Sequence, residues 1–220
     1  MRPTILYGGT FDPVHNGHIA VAEEVARVYA VAVRLIPAAD PPHRAPPGAS
    51  AGQRAEMLDL AVAGHSGLSV DRRELERGGA SFTIDTLREV RGELGADAPL
   101  IWLLGSDALV GLATWRDWRG LFELAHVLAY KRPGSELGHD WLRSHAPEVF
   151  AEISQRWCSN RELNDRPAGG FSAFQPRLER QESASDVRAL IAGNSNWAAL
   201  VPPSVARYIL DRKLYGAGGV

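Results

Sequence analysis

The chain has 220 residues, 45% of them hydrophobic, and a formal net charge of −2 at pH 7, which suits one domain with a substantial core. So even a balance offers no global pull toward nucleic acid or an anionic membrane, so neither is expected as a partner and any basic site must be local. Cys158 is the single cysteine, which excludes an intramolecular disulfide and a cysteine zinc site, and with no signal-like or membrane-length apolar run the expectation is a soluble cytoplasmic protein.

Ile5-Leu6-Tyr7 ends a short buried strand, and Val21, Val25 and Val28 recur at helical spacing with Glu23, Glu24 and Arg27 turned away. Between them lies Gly8-Gly9-Thr10-Phe11-Asp12-Pro13-Val14-His15-Asn16-Gly17-His18, a strand-to-helix loop. Glycines lack Cβ, so backbone amides can approach a phosphate, and the helix N-terminus adds unpaired N–H groups. His15 and His18 are three residues apart and share a face, where two donors can hold phosphoryl oxygens during attack. Neither Walker A nor G-x-G-x-x-G spacing fits the loop. A zinc site would need a further acidic or histidine ligand that this helix lacks. Alone, two such histidines would more often be caps or surface residues; the full eleven-residue string carries the weight.

Val31 to Ile36 forms a second strand, making residues 4–36 a βαβ unit with a parallel crossover. A proline-dense loop from Pro37 to Gly48 follows at the carboxyl end of that strand, where open α/β sheets bind ligands, and its His43 and Arg44 are placed to meet an anion. Ser50 and Gln53 have capping-box spacing for a second helix with the apolar stripe Met57, Leu58, Ala61 and Val62. Leu68 to Val70 is a short strand. The mixed charge run from Asp71 to Arg77 reads as a solvated face without functional weight. Ser81-Phe82-Thr83 opens a third helix with Ile84, Leu87, Val90 and Leu94 in register.

Leu100 to Leu104 has the pattern of a central parallel strand that delivers Gly105-Ser106-Asp107 to the same rim as Gly8. Trp115 and Trp118, by residue type alone, read as core. His126 to Tyr130 is a further strand, ending at Lys131-Arg132-Pro133-Gly134. From 138 to 170 the pattern weakens into a helical excursion broken near Pro147 and a polar loop, read as an insertion. Phe171 to Phe174 supplies a last strand. Ser183 to Arg188 starts a helix whose hydroxyls and N-terminus are available to an anion. A final amphipathic helix runs from Pro203 to Tyr215 with Val205, Tyr208 and Ile209 inward. The alternation of strands and helices argues for one α/β domain over residues 1–220, a doubly wound, mostly parallel, Rossmann-like sheet with a small helical C-terminal part from 183 to 220.

The Gly8–His18 string resembles the signature of the nucleotidylyltransferase superfamily, with His15-Asn16-Gly17-His18 as its H-x-G-H element. Asp40-Pro41-Pro42-His43-Arg44, Ser81-Phe82-Thr83 with Thr86-Leu87, Gly105-Ser106-Asp107, Thr114-Trp115 and Arg132-Pro133-Gly134 look like the narrower family of bacterial nicotinate-nucleotide adenylyltransferases, in order over nearly the whole chain. The resemblance implies that ATP and nicotinate mononucleotide give nicotinate adenine dinucleotide and pyrophosphate, with Mg2+ accompanying ATP. It implies that Gly8, Gly9, Thr10 and Phe11 hold the adenylate, that His15 and His18 contact the phosphates, and that Gly105 and Asp107 border the ATP ribose. Thr83 and Trp115 would recognise the nicotinate half, with His43, Arg44 and Arg132 also on the substrate side, and Ser183 and Arg188 would bind ATP phosphates. His18, His15 and Arg188 form the implied catalytic set. The chain departs from the family at Glu182, where an apolar residue is usual, at Ser185-Asp186, and at Phe82, where tyrosine is common. Alternatives are another acceptor, such as nicotinamide mononucleotide or phosphopantetheine, or a non-catalytic nucleotide-binding regulator. The sequence leaves a homo-oligomer open.

Overall fold

A computed structural model describes residues 2–40, 46–177 and 180–218, so His43 and Arg44 lie outside the described residues. Among the described residues six strands, β1 (Thr4–Gly9), β2 (Val33–Pro37), β3 (Leu68–Val70), β4 (Leu100–Gly105), β5 (His126–Tyr130) and β6 (Phe171–Phe174), form one sheet in the order β3-β2-β1-β4-β5-β6. Every pairing is parallel. The expected sheet was mostly parallel; it is wholly so.

Alternation along the strands sorts side chains onto two faces. Ile5, Tyr7, Ile101, Leu103, Leu128 and Tyr130 enter the core on one face, while Leu6, Leu100, Trp102, Leu104, Val127 and Ala129 enter the other. The first face is covered by α1 (Asn16–Tyr29), which contributes Val21, Val25 and Tyr29 to that core, and by α2 (Ala51–Val62). The expected stripe on α1 is one residue off at its end: Val28 is 46% exposed and Tyr29 takes the inward position. The reason is the i, i+4 row, since Val21, Val25 and Tyr29 lie one above the other. The capping box on α2 forms as expected, with the Gln53 amide donating to Ser50 Oγ and the Ser50 amide to Gln53 Oε1.

Two helices follow β3, the short α3 (Arg73–Arg77) and α4 (Thr83–Leu94). With α5 (Ser106–Val110), α6 (Leu121–Leu124), α7 (His139–His145) and α8 (Pro147–Ile153), α4 lies against the second face. The break near Pro147 is where expected, with proline at the first helical position. Segment 138–170 forms the crossover from β5 to β6, and Leu142, Val149 and Ile153 bury completely or nearly so. The chain closes on α9 (Ala184–Ala192) and α10 (Pro203–Asp211), followed by a 3-10 turn over Leu214–Gly216. Val205 and Ile209 of α10 are fully buried, and Tyr208 packs half-buried beside them. Among the described residues no helix is long and apolar enough to cross a membrane.

Candidate active site

The strand order reverses between β1 and β4, and the crevice above the carboxyl ends of the strands at that switch point is where open α/β sheets place ligands. A cavity of about 710 Å³ opens there. Its lining brings together Gly8, Gly9, Thr10, Phe11, His15 and His18 from the first loop and Gly105, Asp107 and Arg132 from the ends of β4 and β5. It also takes Thr83, Trp115, Ser183 and Arg188, so every described candidate from the sequence lies on one cavity. Pro46 and Pro47 represent the proline-dense loop in it.

Gly8 is required by packing as well as by any approach of phosphate. A Cβ there would run into the Trp102 indole of the neighbouring strand β4. Phe11 takes φ +50° in the loop, a left-handed conformation costly for a bulky residue, and such strain gathers at functional sites. Its ring is 2% exposed and packs edge-on to both Tyr7 and His18. Phe11 therefore serves the cavity mainly through its backbone, with the ring spent on holding His18.

His15 and His18 stack with ring centroids 3.6 Å apart at the start of α1. The His15 amide donates to His18 Nδ1 at 3.2 Å, so a neutral His18 carries its proton on Nε2. His15 is 3% exposed, and among the described residues neither ring nitrogen has a hydrogen-bond partner. Burial, and then the Arg132 guanidinium, push its pKa from 6.5 down to about 3, with Asp186 pulling the other way. At neutral pH His15 is an uncharged imidazole able to donate one N–H.

The loop is fixed from below by residues to which the sequence alone gives no role in the site. Arg54 of α2 is fully buried and donates to the carbonyls of Thr10 (2.7 Å), Ala39 (3.0 Å) and Ala49 (3.3 Å). A signal for it existed: Arg54 falls on the row of Met57, Leu58 and Ala61, at helical spacing on the apolar face. Asp12 is 5% exposed and accepts from the amides of Gly48 (2.8 Å) and Ala49 (3.1 Å). The Tyr7 and Tyr130 hydroxyls pair at 2.8 Å beneath the cavity, and burial raises the Tyr7 pKa well above its ordinary value.

At the far rim Asp107 pairs with Arg132 at 2.7 Å, so two residues assigned to different substrates meet each other. Ser106 is buried and shares its hydroxyl with Ser135 (2.5 Å) and the Arg132 amide (3.2 Å), which ties the turn after β4 to the turn after β5. Ser183 caps α9, accepting from the Asp186 amide at 3.1 Å and donating to its carboxylate at 2.7 Å. Glu182 is not part of the large cavity's lining; it borders a smaller one and lies 3.5 Å from Arg180.

The opposite wall belongs to α4. The charge run read as solvated is not uniformly so: Glu74 is 5% exposed, lines the cavity and accepts from Thr86 Oγ1 at 2.6 Å, while Arg73 bridges Asp71 and Glu93. Burial raises the Glu74 pKa and the Thr86 hydrogen bond opposes it. No periodicity marks Glu74, because its burial comes from the tertiary fit of α3 to α4. Ser81 Oγ accepts from the Ala39 amide, pinning this turn to the end of β2. Arg116 lies 4.2 Å over the Phe82 ring and donates twice to Asp85, joining the Thr83 turn to the Trp115 turn. The two tryptophans separate in role: Trp118 is core, whereas Trp115 is half-buried on the cavity.

The cytidylyltransferase-like family model matches residues 6–189. A probable nicotinate-nucleotide adenylyltransferase of Stenotrophomonas maltophilia is 50% identical over 221 residues, covering 98% of this chain and 97% of its own. One of Marinobacter nauticus, also named a probable nicotinate-nucleotide adenylyltransferase, is 43% identical over 97% of this chain and 96% of its own. Among solved structures, Plasmodium falciparum nicotinic acid mononucleotide adenylyltransferase, complexed with NaAD, superposes with a TM-score of 0.74 at 16% identity over 98% of each chain, a likeness of fold. The chain belongs to the cytidylyltransferase-like family and, within it, to the nicotinate-nucleotide adenylyltransferases.

Proposed function

We propose that the protein transfers the adenylyl group of ATP to nicotinate mononucleotide, releasing pyrophosphate and forming nicotinate adenine dinucleotide, in a single in-line displacement at the α-phosphorus. The observation that carries this reading is that one cavity joins the His15–His18 stack to the Thr83–Trp115 wall. A donor triphosphate and an acceptor with an aromatic head can meet there, and the family membership supplies the identity of both. The acceptor's phosphate is already an adequate nucleophile, so the protein's task is positioning and charge neutralisation. His18 offers Nε2–H to the α-phosphate, and neutral His15 offers a second donor without the cost of a buried cation. Arg188 supplies the positive charge for the phosphates.

On the acceptor side, α4 starts at Thr83 with no side-chain cap. Its first amides and the positive end of the helix suit the nicotinate carboxylate. The half-buried Trp115 indole suits stacking on the pyridine ring. The residues present fit magnesium carried by the ATP phosphates. Among the described residues no group of three or more acidic, histidine or cysteine side chains gathers to form a cage. Both Asp12 oxygens are taken by amides and Glu74 is buried against Thr86, which leaves Asp107, exposed beside Arg132, as the cavity carboxylate that would face the cation's water shell. Bound magnesium would neutralise charge developing on the phosphates. Glu182, the feature that would have favoured a non-catalytic regulator, is held by Arg180 away from the large cavity.

The displacement is tested with ATP carrying sulfur in place of one α-oxygen, in a single configuration. A direct transfer inverts the configuration at phosphorus in the dinucleotide product; retention would require a covalent adenylyl-enzyme and would remove this mechanism.

A further inference from the structure

The 3-10 turn at Leu214–Gly216 reaches back to the signature loop. Lys213 and Tyr215 both adopt the left-handed region, at φ +51° and +57°, which L residues seldom occupy. The bend they make lays the Tyr215 ring against Gly48 and carries its hydroxyl to Asp12 Oδ1, at 2.7 Å. Asp12 Oδ1 also accepts from the Ala49 amide and Oδ2 from the Gly48 amide. Arg188 Nη1 donates to the main-chain carbonyl of the same Asp12 at 2.6 Å and stands 3.7 Å from Oδ2. Burial, and then the hydrogen bond and charge of Asp12, raise the Tyr215 pKa, so the phenol stays a proton donor throughout the working range.

Asp12 thus joins three distant parts of the chain: the loop that carries His15 and His18, the α9 residue Arg188, and the C-terminal turn. We propose that Tyr215 is a positioning residue for adenylyl transfer, holding Asp12 in the orientation that presents Arg188 to the nucleotide phosphates. The ring alone would satisfy packing against Gly48; only the hydroxyl reaches Asp12. Losing it leaves Oδ1 with the Ala49 amide alone and unties the C-terminal turn from the loop whose Asp12 carbonyl anchors Arg188. This inference rests on the adenylyl-transfer reading for the role of Arg188.

Tyr215→Phe tests it, since the ring and its packing remain. Misplacement of a catalytic group by about 1 Å can cost about 100-fold, so turnover is expected to fall roughly 10- to 100-fold. The KM for ATP should rise while that for nicotinate mononucleotide stays unchanged. Isothermal titration with a non-hydrolysable ATP analogue should show weaker binding in parallel, and the melting curve should confirm a folded variant. Gly48→Ala gives a second approach with Tyr215 intact, because the new Cβ would lie 2.9 Å from the tyrosine ring and push the hydroxyl away from Asp12. The same ATP-side loss is expected. Folded variants with unchanged ATP affinity and turnover would overturn the proposal, as would equal losses for both substrates. If the native protein releases no pyrophosphate, the adenylyl-transfer reading fails, and analogue binding by the two variants still decides whether Tyr215 orders the phosphate site.

Discussion

Arg54→Ala is a severe test of how the loop is held. The side chain is fully buried, and its guanidinium serves three main-chain carbonyls, those of Thr10, Ala39 and Ala49, at 2.7, 3.0 and 3.3 Å. Hydrogen bonds from a charged group contribute about 1.5–3 kcal/mol each, and the longest of these belongs at the low end. Burial pushes the Arg54 pKa down, a sign that desolvation of the guanidinium offsets part of that gain. Removing the donor takes the partner from the buried Ala49 carbonyl and from the half-buried carbonyls of Thr10 and Ala39, and breaking an arrangement of this kind costs about 3–5 kcal/mol. For a chain of this length that corresponds to a melting point lower by about 6–20 °C. Equilibrium unfolding in guanidinium chloride would measure the loss directly. Arg54→Met, which keeps much of the volume and none of the donors, should lose nearly as much as Arg54→Ala. A loss below about 1 kcal/mol in both variants would show that the three carbonyls do not depend on Arg54, and would refute the reasoning.

Two further outcomes concern the histidines. His18→Ala should lower turnover about 100- to 1000-fold, the usual cost of one good transition-state donor, with an unchanged melting point; near-normal turnover would remove His18 from the chemistry. The pKa of His15 is 6.5 unfolded and about 3 in the fold, so between those values the unfolded chain binds the extra proton. Stability should therefore be flat above 6.5 and fall as pH drops through the window toward 3. His126, whose pKa is also lowered by burial, adds loss of the same sign. Comparing denaturant midpoints near about pH 7 and about pH 5 should show a shallower acid loss in His15→Asn than in the native chain; parallel losses would place the acid sensitivity elsewhere.

Much of the sheet was legible because the runs of its two central strands, Ile5 to Tyr7 and Leu100 to Leu104, are uninterrupted and apolar and end at glycine. The strands at Leu68–Val70, His126–Tyr130 and Phe171–Phe174 appear with the bounds expected of them. Much of the cavity was legible too, since Gly8 to His18, Gly105 to Asp107 and Arg132 lie at or just after the ends of β1, β4 and β5, and a parallel sheet delivers such turns to one edge. What escaped was the polar framework beneath. Glu74 hides in a run of charges that normally face water, while the neighbouring Leu75 is only half-buried. Its position depends on the contact with Thr86, which no local pattern encodes. Asp12 stood inside the signature string, yet its partners Gly48, Ala49 and Tyr215 are distant in sequence and carry no motif of their own. Asp107 and Arg132 were each legible as rim residues; their pairing follows from β4 and β5 lying side by side. Arg54 had a visible signal, a cation on an apolar helix row, which predicts either a misfit or a buried carbonyl clamp, and the structure shows the clamp.

Adenylyl transfer to an acid-bearing pyridine mononucleotide can be observed in one assay. The most direct measurement is pyrophosphate release from ATP and magnesium with nicotinate mononucleotide and, in parallel, nicotinamide mononucleotide, each dinucleotide product being identified by chromatography. The protein should form nicotinate adenine dinucleotide rapidly and use the amide weakly, because the start of α4, which has no side-chain cap, suits a carboxylate. Equal use of both would contradict the carboxylate site at Thr83, and no product from either would contradict the proposed reaction itself.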